Sequence, residues 1–415
     1  MNRLLQGEVG SGKTVVALRA MLQVAQSGGQ SALLAPTEVL ASQHLQSIEE
    51  LLGPELCEQL KPTLITGRMT TKERRRALLD TAAGVAKIII GTHALMSKDT
   101  TFYDLGLTVI DEQHRFGVEQ REALRQKSTE TPHLLAMTAT PIPRTIALTV
   151  FGDLEVLTIR QLPAGRQGIE TFAIQVHEDR GLEQLSWKRA REEITAGRGV
   201  YVVCPAIDVD QDPELTRGRA TVEGVAEQLR RRPEYQDVTV AEMTGTTPSE
   251  EKETVMSGFA SGEIDVLVST TVIEVGVNVP RATMMIVLEA DRFGVSQLHQ
   301  LRGRVGRGSL PGLCLLQTAV PKDSDAWRRL EAVAATTDGF ALAEIDLELR
   351  REGDILGTRQ SGGRSTLKLL RVIDDQELIE QARHFAQQAL DRGLTPQLQA
   401  IVDRQEENLQ NLAKT

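Results

Sequence analysis

The sequence has few cysteines, and those present do not form a recognisable framework. Cys57, Cys204 and Cys314 are odd in number, widely separated and without a Cys-x-x-Cys pair. Disulfide-stapled secreted folds and zinc sites both need cysteines in pairs or at short fixed spacings. The sequence therefore predicts reduced thiols in a protein of the cytoplasm.

Aromatic residues, long apolar runs and net positive charge are also scarce. With two Trp and three Tyr, base stacking on aromatic side chains is not an obvious mode of binding. No stretch approaches the roughly 20 apolar residues of a membrane span, and the N-terminus lacks a secretion-signal pattern. The net charge of −10 argues against a general nucleic-acid coat protein. Basic tracks remain at residues 74–76 and 302–307, and the first is equally explained as the solvated face of a helix.

Apolar runs and amphipathic helical patterns alternate twice along the 415 residues, which predicts two parallel sheets, each covered by helices on both faces. A Pro/Gly-rich stretch at residues 162–168 separates the halves, and the strand signal stops past residue 320. We predict an α/β protein with domains at 1–162 and 169–322, a helical hairpin and loop at 323–366, and C-terminal helices at 367–415. The predicted strands are 4–5, 32–35, 87–90, 107–110, 134–137, 172–176, 200–204, 238–242, 265–269, 284–288 and 313–317.

A phosphate-binding loop follows the first predicted strand. Residues 7–14 read Gly-x-x-x-x-Gly-Lys-Thr, a pattern whose glycines let backbone N–H groups wrap a phosphate at the start of a helix. Lys13 would reach the β- and γ-phosphate oxygens, and the Thr14 hydroxyl would ligate Mg²⁺. The predicted nucleotide-binding residues of the loop are Gly7, Glu8, Val9, Gly10, Ser11, Gly12, Lys13 and Thr14.

An acidic pair ends another predicted strand, in "LTVIDEQHRFG". Asp111 would hold Mg²⁺ directly or through water, and Glu112 would orient or deprotonate the attacking water. A solvated acidic turn is the alternative for this pair alone, but the phosphate-binding loop argues against it. A zinc site at His114 is disfavoured, because no second His or Cys lies at ligand spacing.

Two arginines in "QLHQLRGRVGRG" are candidates to complete the hydrolysis site from the second domain. Arg304 and Arg307 lie three residues apart, on one side of a helical turn, and guanidinium groups match the developing charge of a transferred phosphoryl group. They belong to a different domain from Lys13, so hydrolysis would depend on domain closure. The alternatives are a basic surface helix and contacts with a DNA backbone, for which Arg302 is a candidate.

Two further strand ends carry small polar residues. In "MTATPIPRT", Thr138 and Thr140 could relay loss of the γ-phosphate to the other domain, although polar strand ends are common. In "VSTTVIEVGVNVP", Thr271 could face the substrate, and Gly276 and Asn278 could face the nucleotide. Taken alone, this second segment is equally a buried strand and loop.

Eight blocks in this order resemble a superfamily 2 helicase core, and more closely the RecG family of ATP-dependent branched-DNA helicases. Asp-Glu-Gln-His at 111–114 favours this family over the transcription-repair coupling translocases. The last block resembles the translocation motif that both families share. The blocks, which cover essentially the whole chain, are "GEVGSGKT", "LLAPTEVLASQH", "IIIGTHAL", "DEQHRFGVEQR", "TATPIPRT", "STTVIEVGVNVP", "QLHQLRGRVGRG" and "DGFALAEIDLELRREGDILGTRQSG".

The resemblance implies two RecA-like domains that use ATP and Mg²⁺, with branched or forked DNA and a single-strand-binding protein as partners of a monomer. Lys13, Thr14, Asp111 and Glu112 would form the hydrolysis site, which Arg304 and Arg307 would complete. Arg329 and Gln360 would convert domain closure into movement on duplex DNA. The residues implied to contact DNA or to couple the domains are Pro36, Thr37, Gly91, Thr92, His114, Thr138, Thr140, Thr271 and Gln300.

The chain also departs from the family pattern. Residues 243–246 differ from the usual family sequence, which puts a DNA contact in doubt. Asn278 also differs, and there a ribose or Mg²⁺-linked contact is in doubt. Residues 351–352 differ as well, so the shape of that loop is in doubt. Residues 1–6 alone precede the phosphate-binding loop, where RecG-like proteins carry a wedge region and a segment that packs on the adenine. We therefore expect the motor half of such a helicase, as a fragment, a gene with a misplaced start or a disrupted gene. The alternatives are another superfamily 2 motor, such as an RNA helicase or a coupling translocase, and a nucleotide- or DNA-binding fragment without turnover.

Overall fold

The computed structural model describes residues 1–8, 10–112, 127, 131–138, 154–160, 168–205, 219–271, 279–308, 310–349 and 376–403. The chain divides into two compact units. One unit comprises residues 1–142 and 153–349, and it contains both sheets described below. The other comprises residues 143–152 and 350–415.

The first lobe is built on a sheet of seven parallel strands in the order β3-β4-β2-β5-β6-β1-β7. Its central strands are buried on both faces, as parallel sheets covered by helices require. The strands are β1 (Asn2–Gly7), β2 (Gln30–Leu34), β3 (Thr63–Ile65), β4 (Ile88–Gly91), β5 (Leu105–Ile110), β6 (His133–Thr138) and β7 (Glu155–Ile159).

Three described helices belong to this lobe: α1 (Lys13–Gln26), α2 (Glu38–Leu60), which is interrupted at Gly53, and α3 (Thr71–Ala82). Helix α1 buries Ala17, Leu18 and Met21, and these pack with strand residues such as Leu33 and Val109 in one apolar cluster. Helix α3 begins with a capping box between Thr70 and Glu73. Arg75 and Arg76 lie on its exposed face, as the solvated-helix interpretation of this basic track predicts.

The second lobe is built on six parallel strands in the order β10-β11-β9-β12-β13-β8. Successive residues of its central strand alternate between two apolar clusters: Val200 and Val202 belong to one, and Tyr201 and Val203 to the other. The core therefore covers both faces of the sheet. The strands are β8 (Ile169–Gln175), β9 (Gly199–Val203), β10 (Val240–Met243), β11 (Val266–Ser269), β12 (Ala282–Val287) and β13 (Gly312–Thr318).

Helices α4 (Arg180–Thr195), α5 (Val222–Arg231), α6 (Ser249–Ser261) and α7 (Val295–Arg302) accompany this sheet. They are followed by α8 (Asp325–Ala335) and α9 (Gly339–Leu349), which pack against each other and against α7. Short 3₁₀ turns lie at His93–Met96, Pro233–Tyr235 and Ala290–Arg292.

In the other unit, the structure describes helix α10 (Gln376–Arg392) and further helical residues at 396–403. None of the helices within the described ranges has the length and apolar character needed to cross a membrane.

The predicted α/β fold class is confirmed: two domains with parallel sheets precede a pair of packed helices and a C-terminal helical segment. All eleven predicted strands coincide with observed ones, and the sequence missed β3 and β7. The Pro/Gly-rich boundary stretch at 162–167 lies outside the described residues, so the domain limits stay a prediction.

Candidate nucleotide-binding site

Three neighbouring strands of the first lobe bring the predicted hydrolysis residues to one edge of the sheet. Strand β6 pairs with β1 on one side and with β5 on the other, and all three are parallel. Their carboxyl ends therefore share an edge, where ligands bind in open α/β sheets. The phosphate-binding loop follows β1, Asp111 follows β5, and Thr138 is the last residue of β6.

The loop adopts a conformation that its glycines permit. Gly10 and Gly12 have φ values of 82° and 91°, in the left-handed region that other residues avoid. Gly7 is required for a different reason, because a Cβ there would lie 2.6 Å from Ser11 Oγ and 3.1 Å from the Ile159 carbonyl oxygen. Ser11 Oγ is buried and has no hydrogen-bond partner among the described residues. The loop thus offers a donor that a phosphate oxygen would satisfy.

The Lys13 ammonium lies inside the loop. It donates hydrogen bonds to the carbonyl oxygens of Gly7, at 2.7 Å, and of Glu8, at 2.9 Å. Burial lowers the pKa of Lys13, and the negative charges of Asp111, Glu112 and Glu8 act in the opposite direction. Lys13 and the acidic pair Asp111–Glu112, which lie far apart in the sequence, therefore form one electrostatic site.

Asp111 is held by a residue that the sequence did not single out. His44 Nε2, on α2, donates to Asp111 Oδ2 at 2.7 Å, and both side chains are largely buried. The Asp111 amide donates to the Leu34 carbonyl oxygen at 2.9 Å, which fixes the end of β5 against β2. Glu112 follows with a φ of 52°, a strained value for a residue with a side chain and one that is common at functional sites.

Thr14 and Asp111 fit the expected magnesium site. Mg²⁺ is usually held by one or two protein oxygens together with substrate phosphates and waters, not by a cage of side chains. Thr14 is half-buried in the first turn of α1, and Asp111 lies at the same edge of the sheet. Their hydroxyl and carboxylate oxygens are the hard ligands that this ion prefers.

Arg304 and Arg307 follow α7 in the second lobe. Arg307 Nε donates to the Gly303 carbonyl oxygen at 2.8 Å. Burial raises the pKa of Tyr201 to about 12, although the positive charges of Arg304 and Arg307 lower it. The charges of both guanidinium groups therefore affect the hydroxyl of Tyr201, which belongs to the central strand β9. That they complete the hydrolysis site of the first lobe stays a prediction.

Arg302 does not have the exposed environment that a contact with a DNA backbone would need. Its side chain is 2% exposed, and it donates to the carbonyl oxygens of Val333 and Thr336, each at 2.7 Å. A guanidinium group buried under the α8–α9 connection is not placed to contact a DNA backbone. Arg302 instead ties α7 to the following helix pair.

Glu8 connects the phosphate-binding loop with the second lobe. Its Oε2 accepts a hydrogen bond from His299 Nε2 at 2.8 Å, and its Oε1 accepts one from the Gly339 amide at 3.0 Å. Burial acts to raise the pKa of Glu8, but the hydrogen bonds from His299 and Gly339 and the charge of Arg302 lower it below its usual range. The loop pattern identified Glu8 as a phosphate-loop residue, and nothing in the local sequence indicated its partner, 291 residues away.

The residues predicted to contact DNA occupy strand ends and helix starts. Thr37 Oγ1 caps α2 by accepting from the Leu40 amide at 3.3 Å. A Cβ on Gly91 would lie 2.2 Å from the Ile65 carbonyl oxygen, so this position admits only glycine and offers main-chain atoms alone. Thr92 is 2% exposed. Thr138 is buried at the end of β6. Half-buried positions are taken by Pro36, Thr271, Gln300 and Arg329.

The predicted roles of all these residues stay predictions. Six of the predicted site residues lie outside the described ranges: Val9, His114, Thr140, Gly276, Asn278 and Gln360. Residues 351–352 of the translocation motif also lie outside them.

Models of three protein families match the chain in succession. The DEAD/DEAH box helicase model matches residues 1–149, and the helicase conserved C-terminal domain model matches residues 193–309. A third model, described as ATP-dependent DNA helicase RecG, domain 3, C-terminal, matches residues 336–413. The first two matches fall on the two lobes, and the third begins just before α9.

Curated proteins named ATP-dependent DNA helicase RecG are similar along nearly the whole chain. The Mycobacterium tuberculosis protein is 52% identical over 417 residues, which cover 97% of this chain and 56% of the relative. The Streptococcus pneumoniae protein is 48% identical over 387 residues, which cover 93% of this chain and 55% of the relative. The chain thus spans little more than half the length of these relatives.

A solved structure, described as RecG bound to a three-way DNA junction, has a similar fold. The TM-score is 0.71 and the identity 37%, over 92% of this chain and 47% of that one. The similarity to this structure therefore extends over both lobes. Together with the RecG-specific model at residues 336–413, these identities show that the chain belongs to the RecG family.

Proposed function

We propose that this chain is an ATP-hydrolysing DNA translocase that acts on branched DNA, including replication forks and Holliday junctions, in recombination and repair. The observation that carries the proposal is the meeting of the phosphate-binding loop and the acidic pair at one sheet edge, where Asp111 and Glu112 act electrostatically on Lys13. A site of this composition is suited to holding a nucleoside triphosphate and to hydrolysing it.

Each residue has a distinct chemical role in this proposal. Lys13 would leave the Gly7 and Glu8 carbonyl oxygens to bind the β- and γ-phosphates, and the loop amides and Ser11 Oγ would hold the remaining oxygens. Thr14 and Asp111 would hold Mg²⁺, which would neutralise charge on the phosphates. Glu112 would orient the attacking water and accept its proton, and Arg304 and Arg307 would stabilise charge on the transferred group after the lobes close.

The DNA would be contacted by the strand-end residues of both lobes and moved by the segment after the second lobe. The RecG domain 3 match at residues 336–413 supports a translocation motif in that segment, which contains the proposed coupling residue Gln360. The second proposed coupling residue, Arg329, lies just before the match, in α8. We propose domain limits of 1–162, 169–322, 323–366 and 367–415. We further propose a monomer of the bacterial cytosol that meets single-strand-binding protein at forks. The free thiols Cys57, Cys204 and Cys314 support a reducing compartment.

The test is steady-state ATP hydrolysis by the purified chain without DNA, with single-stranded DNA and with a forked duplex. We expect turnover that the fork stimulates most. Lys13→Ala is expected to lower this turnover by at least about 100-fold, since it removes the phosphate-binding cation. Binding of a fluorescent ATP analogue without phosphate release in any condition would favour a nucleotide-binding fragment. Stimulation by RNA alone would favour another superfamily 2 motor.

A further inference from the structure

A cavity of about 990 Å³ lies in the second lobe, outside the carboxyl ends of β8, β12 and β13. Helices α4 and α5 border it, with Trp187 of α4 and Val225 of α5 on its apolar side. None of its lining residues is among those that we propose for ATP hydrolysis or for contact with DNA. Its volume is suited to a small organic molecule.

The cavity occupies the place in the second lobe that the proposed nucleotide site has in the first. The strands of the two sheets follow the same order, so that β8, β12 and β13 correspond to β1, β5 and β6. The amides of Leu288 and Asp111 make the same hydrogen bond to the neighbouring strand, each at 2.9 Å. Glu289 then has a φ of 47°, close to the 52° of Glu112. Ligands of open α/β sheets bind at such an edge.

The second lobe is not equipped to hold a metal-bound triphosphate at this edge. Leu288 stands at the position that corresponds to Asp111, so the carboxylate proposed to hold Mg²⁺ has no counterpart. The turn between β8 and α4, residues 176–179, contains neither the glycines nor the lysine of the phosphate-binding loop. The cavity is therefore suited to a smaller ligand that binds without a metal ion.

Gln317 offers a buried donor to such a ligand. It is 3% exposed, lines the cavity, and lies on the same face of β13 as Leu315, which packs in one apolar cluster with α4 and α5. Its Nε2 has no hydrogen-bond partner among the described residues. The other buried glutamines that the structure describes, Gln6, Gln30 and Gln175, all donate through Nε2. A buried amide without an acceptor is costly, and an oxygen atom of a ligand would satisfy it.

The charges around the cavity favour one small anion with hydroxyl groups. Its lining carries three arginines and three carboxylates: Arg219, Arg232, Arg292, Glu183, Glu289 and Asp291. This balance does not suit a nucleic-acid strand, because binding of its many phosphates needs uncompensated positive charge. It suits a single phosphate group near Arg219, where the N-terminus of α5 also attracts an anion. The carboxylates can accept hydrogen bonds from hydroxyl groups.

We propose that this cavity is a second ligand site, which binds a small phosphate monoester with a hydroxylated body, that is, a sugar phosphate. The phosphate would bind Arg219 and the start of α5, and the Gln317 amide would donate to an oxygen atom of the ligand. Glu183 and Asp291 would accept hydrogen bonds from its hydroxyl groups. The inference goes beyond the proposed function and does not depend on the ATP site, which lies in the other lobe.

Isothermal titration calorimetry of the purified chain with ribose 5-phosphate tests the site. We expect saturable binding that Lys13→Ala leaves unchanged, and binding of ribose at least about tenfold weaker, because ribose lacks the charged acceptor. Absence of saturable binding up to about 10 mM, above the usual range for small-molecule sites, would overturn the inference. Loss of binding in Lys13→Ala would place the ligand in the ATP site and would also overturn it. Displacement by a single-stranded oligonucleotide would overturn it as well, since the cavity would then be a DNA contact.

Gln317→Met separates a binding role from a structural one, because methionine has a similar length and no amide. We expect binding to weaken about tenfold, while the midpoint of urea unfolding stays the same or rises as the buried amide is removed. Arg219→Met should also weaken binding about tenfold. Gln184→Met, at an exposed position of α4 outside the cavity lining, should change neither property. A lower unfolding midpoint in Gln317→Met with unchanged binding would show that this amide serves the fold, and would overturn the inference.

Discussion

At the scale of single residues, the site depends on charges whose partners lie far away in sequence. Lys13 is buried beside carboxylates from another strand, and Asp111 is held by His44 from a helix. Burial makes each of these interactions stronger than it would be in water. Small changes at one member should therefore alter the properties of its neighbours.

His44 should tune the magnesium site through Asp111. His44→Ala removes the donor that orients the Asp111 carboxylate, and loss of such an orienting partner typically costs about 10-fold in metal affinity. We expect the Mg²⁺ concentration that gives half-maximal ATP hydrolysis to rise about tenfold, with little change in the rate at saturating Mg²⁺. Gln46→Ala, on the same helix but exposed, serves as the matched control. An unchanged Mg²⁺ requirement in His44→Ala would show that Asp111 does not need this contact.

Arg307 should act on the chemical step. Arg307→Ala is expected to lower the ATP turnover number by about 1,000-fold while nucleotide affinity changes little, because the guanidinium would stabilise charge that develops during transfer. Arg307→Lys should rescue little, since an ammonium cannot reproduce the planar fork of donors. The measurement is turnover against analogue binding in the same preparations. Rescue by Lys to near wild-type turnover would indicate that only a nearby positive charge is needed.

Local patterns found individual site residues but not their long-range partners. The loop pattern identified Lys13, and the strand-end carboxylates identified Asp111, because each lies in a contiguous motif. His44 and Asp111 are 67 residues apart, and Glu8 and His299 are 291 apart. No property of the intervening sequence specifies such a pair, so these contacts had to come from the fold.

At the scale of elements, the strands were predictable where they are fully buried. Interior parallel strands such as β2 and β12 are apolar on both faces and stand out as continuous runs. The two missed strands are the edges of the first sheet: β3 has three residues, and β7 is only partly buried. Neither is long or apolar enough to differ from a loop, and both are defined by pairing with a neighbour.

Helix α4 and the sheet of the second lobe are joined by a buried carboxylate. Glu193 is 4% exposed and accepts hydrogen bonds from Arg198, Arg189 and the Thr283 hydroxyl. Burial acts to raise the pKa of Glu193, but the hydrogen bonds from Thr283 and Arg198 and the arginine charges lower it below 4.5. The contribution of Glu193 to stability is therefore present above about pH 4.5 and is lost as pH falls through the lower pKa of the folded state.

Glu193→Gln should destabilise the second lobe by about 2 kcal/mol at pH 7, because a buried side chain loses charge-assisted hydrogen bonds from Arg189 and Arg198, which are themselves partly exposed. The difference from wild type should shrink as pH falls below about 4.5, where the Glu193 carboxyl of the unfolded chain takes up a proton. Urea unfolding followed by tryptophan fluorescence suits the measurement, since Trp187 is buried in the second lobe and Trp327 in the adjoining helix α8. The neighbouring Glu192→Gln removes an exposed pair with Arg189 and should cost less than about 1 kcal/mol. Equal losses of stability in Glu193→Gln and Glu192→Gln would contradict a stabilising role of the buried Glu193 carboxylate.

At the scale of the whole molecule, the described contacts between the two lobes differ in kind. The Arg68–Glu253 pair is exposed on both sides and adds little to stability, whereas the contacts of Glu8 with His299 and Gly339 are buried. The buried contact lies at the phosphate-binding loop itself. Among the described contacts, the buried link between the lobes therefore lies beside the loop where we propose that a nucleotide binds.

The central claim is that this chain uses ATP hydrolysis to move on branched DNA. The most direct measurement follows a labelled forked duplex on native gels with ATP, with a non-hydrolysable analogue and without nucleotide, beside a linear duplex of equal length. The account predicts that strands are displaced from the fork only when ATP is hydrolysed, and that the linear duplex and Arg307→Ala give little product. Equal displacement from the linear duplex, or an intact fork while ATP is consumed, would contradict it.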